Sequence, residues 1–64
     1  MEKNWIKIYT STNYYQSEIV KQMLFEHQIA SVLINKQDLA NLAEVYIHQE
    51  DFSTAIEVII RNQS

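Results

Sequence analysis

Near Ile29 the hydrophobic period of this chain changes from that of a helix to that of a strand, and this constrains its fold more than any other feature. Upstream, Asn13 is followed three residues later by Gln16, a capping-box pattern. The Asn13 side-chain oxygen accepts a free backbone N–H of the first turn and Gln16 reaches back. A helix is therefore expected from this point. At 100° per residue Ile19, Val20, Met23, Leu24 and His27 share one face, with Gln16 and Ser17 at its start, while Glu18, Lys21, Gln22 and Glu26 lie mostly outside it. That face is the expected buried one. Downstream, Ile29-Ala30-Ser31-Val32-Leu33-Ile34 is too short for another helix and rich enough in β-branched residues for a strand, which places the turn at His27 and Gln28.

The flanking segments supply the elements this pair packs against. Trp5 to Tyr9 alternates with period two, putting Ile6 and Ile8 on one face and Trp5, Lys7 and Tyr9 on the other. Thr10 to Thr12 connects it to the Asn13 cap. After the second strand, Lys36 to Asn41 forms a connection in which Asp38 can start a short turn. Leu42 to His48 alternates again, with Val45 and Ile47 on one side and Glu44, Tyr46 and His48 on the other. Glu50 and Asp51 then suit the positive end of a second helix, whose stripe of Phe52, Ala55, Ile56 and Ile59, flanked by Ile60, is expected to be buried.

The order β-α-β-β-α, with both helices needing the same sheet face, predicts a ferredoxin-like half-sandwich of the α+β class. Its three-stranded antiparallel sheet has the order 1-3-2, the fourth strand is absent, and strand one is left as an open edge. All 64 residues are expected to form one domain. A chain of this length buries only about 60% of its unfolded surface, and without cysteine it has no disulfide to help. Pairing of two copies into a homodimer would relieve that deficit.

A formal charge of -3 argues against nucleic acid or an anionic membrane as partner. No apolar run approaches the length of a membrane span and no export signal opens the chain, so a cytoplasmic location is expected. There is no glycine for a phosphate loop, and no arrangement of Ser, His and acid suggests nucleophilic catalysis. The expectation is a non-enzymatic protein with no catalytic residue, cofactor or metal. His27 and His48 fall on different layers, and His27 suits the negative end of the first helix.

What remains is a surface. Trp5, Lys7 and Tyr9 on strand one, beside Glu44, Tyr46 and His48 on strand three, are expected to form an aromatic face on the side the helices leave uncovered. Three uses fit it: self-association through the face or an adjoining edge, docking of a protein partner, or stacking of single-stranded nucleic-acid bases on Trp5 and Tyr9. The negative charge weighs against the last. Tyr14 and Phe25 lie on the far side of the first helix and are expected to fold over its edge or onto a loop. Asn35, Lys36 and Asp38 read as turn chemistry, and also as the place where a small anionic ligand would find a lysine beside free backbone donors.

Four pieces of the chain carry a resemblance: Trp5 opening strand one, Asn13-x-x-Gln16, Asn35-Lys36-Gln37-Asp38, and Val45-Tyr46-Ile47-His48 leading to Asp51 and Ala55. With the order of elements, they make the chain similar to a small bacterial family of prokaryotic signal-transducing proteins of unknown molecular function, whose fold is similar to the PII nitrogen regulators. The resemblance covers most of the chain and implies a regulatory or binding role in the cytoplasm. It assigns no residue a task. The chain departs from the family in lacking the glycine that usually ends the first helix, where it has Gln28, and a short glycine-free loop argues against nucleotide binding.

Overall fold

The computed structural model describes residues 4–36 and 42–62. In order these form β1 (Trp5–Ser11), α1 (Tyr14–Glu26), β2 (Ser31–Lys36), β3 (Leu42–His48), a 3-10 turn over Gln49–Asp51, and α2 (Phe52–Arg61). The sheet is three-stranded and antiparallel in the order β1-β3-β2. β3 is its centre because its alternate residues Ala43, Val45 and Ile47 are all but inaccessible to solvent beneath the helices. Val20 and Leu24 of α1 and Ala55, Val58 and Ile59 of α2 join Ile29, Val45 and Ile47 in one cluster, so both helices cover the same face. The expected half-sandwich is the observed one.

One strand departs from strict alternation. Ile6 pairs with Ile47 and Lys7 with Tyr46, but the next partner, Val45, faces Tyr9, leaving Ile8 as an extra residue. Such a bulge puts two successive side chains on one side and reverses the alternation beyond it. Ile8 and Tyr9 therefore both pack against the core cluster. Tyr9 does not belong to the outer face with Trp5 and Lys7; Thr10 takes the place opposite Glu44.

The start of α1 is capped as expected on one side only. The Gln16 N–H donates to Asn13 Oδ1 at 3.3 Å, but the Asn13 N–H donates to Ser11 Oγ at 2.9 Å, so it is Ser11 rather than the Gln16 side chain that satisfies the cap residue. The buried face is centred on Ser17, Val20 and Leu24; Met23 lies beside it, while Ile19 and His27 are exposed. The fully buried Ser17 hydroxyl has no hydrogen-bond partner among the described residues.

The other end of α1 is a Schellman motif without glycine. The Ile29 N–H reaches back to the Leu24 carbonyl and the Gln28 N–H to the Phe25 carbonyl, both at 2.9 Å. This geometry requires a left-handed residue, and Gln28 supplies it at φ 64°. Buried Ile29 meets Leu24 in the core, giving the motif its hydrophobic contact, so Ile29 closes the turn and β2 starts two residues later than its apolar run suggests. A side chain in the left-handed region costs about 1 kcal/mol. Gln28→Gly is therefore expected to raise stability by about 1 kcal/mol, read as a higher urea midpoint at unchanged slope. A lower midpoint would show that the Gln28 side chain contributes more than its backbone strain costs.

α2 presents a different stripe from the expected one. Ala55, Val58 and Ile59 are buried, Ile56 is half-buried on the flank, and Phe52 and Ile60 are exposed. Glu50 and Asp51 belong to the 3-10 turn that leads into the helix.

Candidate contact surface on the open sheet face

The register of the three strands determines which residues meet on the face away from the helices. Trp5 lies beside His48, Tyr46 lies between Lys7 and Val32, and Glu44 lies between Thr10 and Ile34. Side chains directly opposite on such rows are within contact distance. Trp5, Val32 and Ile34 keep about two fifths of their surface in water, being 43%, 39% and 41% exposed. This is an apolar and aromatic surface with a charged centre.

The centre is Glu44. Although it points away from the helices, it is only 4% exposed. The Tyr46 hydroxyl donates to its Oε1 at 3.0 Å and Lys7 Nζ donates to its Oε2 at 3.3 Å, while Lys36 Nζ lies 3.5 Å from Oε1. About half of each lysine side chain stays in water, while the Glu44 side chain is 5% exposed. Two lysines and one glutamate leave this cluster with a formal charge of +1 on a chain that is -3 in total. The outer sheet face is thus positive while the rest of the molecule is acidic.

The Tyr46 hydrogen bond holds the Glu44 carboxyl below the ordinary glutamate range; burial opposes this, and the Lys7 hydrogen bond with the Lys36 and Lys7 charges adds to it. A carboxyl depressed in the folded state contributes stability that is complete above the unfolded value of about 4.3 and is lost as pH falls through the folded value. Glu44→Gln is therefore expected to melt below the wild type at pH 7, with the gap closing as pH falls below about 4.3. Melting curves that stay parallel across this range would contradict the assignment.

At the other end of the face the Trp5 and His48 rings lie with centroids 3.9 Å apart and planes inclined by 36°. The start of β1 is tied to the residue after β3 by Gln49 N–H to the Asn4 carbonyl at 2.8 Å and Asn4 Nδ2 to Gln49 Oε1 at 3.1 Å. These bonds hold the ring pair in register. His48 Nδ1 is buried without a hydrogen-bond partner among the described residues.

Of the residues expected here, Trp5, Lys7, Tyr46 and His48 share the outer face, Lys7 and Tyr46 binding Glu44 and Trp5 pairing with His48 at the far end, and Tyr9 does not belong to it. Asn35 and Lys36 are the last residues of β2 and not part of a loop, and Lys36 already pairs with a carboxylate of its own chain. Asp38 lies outside the described residues, and the anion-binding reading of this segment loses its lysine. Val32 and Ile34, which sequence reasoning did not place on this face, follow from the pairing of β2 with β3. His27 lies at the end of α1, where its Nδ1 is 3.0 Å from the Met23 carbonyl.

A second feature lies on the flank of α1. Tyr14 and Phe25 do not fold away; they are 44% and 70% exposed. With Glu18, Lys21 and Gln22 they line an open groove of about 680 Å³, closed below by Leu33 of β2.

Compared with known proteins, the chain matches no family model, no curated protein and no solved structure.

Proposed function

We propose that this chain is a non-enzymatic binding module that acts by protein–protein contact, assembled as a pair of copies, with the open sheet face as its contact surface. The observation that carries this reading is the face itself: Trp5, Tyr46, Val32 and Ile34 share it with a buried carboxylate, Glu44, that is already paired with two half-exposed lysines. A protein can cover these aromatic and aliphatic side chains without leaving the Glu44 carboxylate unpaired, and the surplus positive charge sits on lysine side chains that are about half in water, where an acidic partner group can meet it. Base stacking on Trp5 is the other use, but Lys7 and Lys36 are both engaged by Glu44 rather than free for phosphates. The resemblance to prokaryotic signal-transducing proteins with a PII-like fold points to the same kind of role, in the bacterial cytoplasm. No helix among the described residues is long and apolar enough to cross a membrane.

A photo-reactive phenylalanine analogue in place of Trp5, irradiated in the producing cell, tests the proposal. The expected result is a discrete protein adduct that excess wild-type chain competes away and that does not form from the same analogue at exposed Thr54 on α2. Nucleic-acid adducts, or the same adducts from both positions, would contradict it.

A further inference from the structure

The two outer strands of the sheet are not equivalent. β1 carries the bulge at Ile8, a device that discourages pairing with another strand. β2 has neither bulge nor proline, and its central residues are Val32, Leu33 and Ile34. Among the described residues nothing pairs with its outer side. The one lysine of β2, Lys36, is its last residue and is drawn to Glu44 of the central strand, so the apolar middle of this edge is a template for a further strand.

The groove above that edge indicates which strand. Along the flank of α1, Tyr14, Glu18, Lys21 and Phe25 form a stripe that is symmetric in chemistry: the two aromatics and the two opposite charges are both centred between Ile19 and Val20. If a second α1 approaches this flank about a two-fold axis, Tyr14 meets the partner's Phe25 and Glu18 meets the partner's Lys21. Each contact then occurs twice. A two-fold interface must be self-complementary in this way. From Tyr14 to Phe25 the helix rises about 16 Å and from Ser31 to Lys36 the strand runs about 17 Å, so one axis can serve both elements. Leu33 lines the same groove as the stripe, which places the middle of β2 beneath it.

We infer that two copies of this chain pair through the outer edge of β2 and the flank of α1, about a two-fold axis near Leu33. The inference rests on the self-association in the proposed function and names its surface. Pairing centred on Leu33 sets Val32 opposite the partner's Ile34 on the outer face and joins the two sheets into one of six strands. Both Glu44 clusters then lie on a single continuous face, which stays open to a partner.

The test is a charge exchange read by sedimentation equilibrium. Glu18 and Lys21 lie on the helix surface, so their variants are expected to keep the wild-type circular dichroism spectrum. Glu18→Lys and Lys21→Glu should each weaken pairing by about tenfold or more, because each turns two attractive contacts into two repulsive ones. The double variant should pair within about threefold of the wild type, since the exchanged charges attract again. Trp5→Ser should pair like the wild type. A wild type that stays a single chain overturns the inference while leaving adduct formation at Trp5 untouched. Single variants that pair as well as the wild type, or a Trp5→Ser variant that falls apart, overturn it by placing the interface elsewhere.

Discussion

Ile59→Asp is expected to leave the chain unfolded at room temperature, whereas Ile56→Asp should still fold. Ile59 is 7% exposed within the cluster that also holds Leu24, Val58 and Ile47. A carboxylate there would lie in a cluster of apolar side chains, and an unpaired buried charge costs several kcal/mol. That approaches the whole stability of a small domain, about 5–15 kcal/mol. Ile56 lies on the half-buried flank of α2, where an aspartate can turn toward water, and the expected loss is about 1–2 kcal/mol. Far-ultraviolet circular dichroism with urea titration separates the two. Loss of fold by Ile56→Asp together with a cooperative transition for Ile59→Asp would show that α2 is rotated from the orientation described.

Leu24→Ala is expected to be the most damaging apolar truncation in α1, lowering stability by about 3–4 kcal/mol. Leu24 is fully buried, and it also accepts the Ile29 N–H that closes the helix and packs against the Ile29 side chain. Truncation removes contacts in the core and loosens the turn that aims β2. In a domain of this size that should lower the melting temperature by about 15–25 °C. Ile19→Ala, on the exposed side of the same helix, should shift it by only a few degrees, about 4–8 °C or less. Equal effects at the two positions would contradict the buried face described here.

The order of elements and the sheet order were legible because period and length distinguish the two helices from the three strands. The facing of individual residues was harder to read. Ile6, Ile8 and Tyr9 are all apolar enough for the core, so no polar residue in β1 marks the bulge that turns Tyr9 inward. In α2, Ala55, Ile56, Val58, Ile59 and Ile60 are nearly continuous, and two stripes fit the helical period equally well. α1 hides its true face because a serine, Ser17, occupies one of its most buried positions. On the outer face, Trp5, Lys7, Tyr46 and His48 followed from alternation, but the burial of Glu44 depends on lysines from both neighbouring strands. Lys36 looked like a loop residue because β2 extends two residues beyond its last aliphatic side chain.

Trp5 is the single tryptophan of the chain, and it sits on the face proposed to remain free when copies pair. Its emission, followed with solution mass over a concentration series, therefore tests the central claim most directly. The expected result is a mass that rises from one chain to two while the emission maximum stays constant. A blue shift that tracks the rise in mass would mean that the face is buried between copies and is not available to a partner.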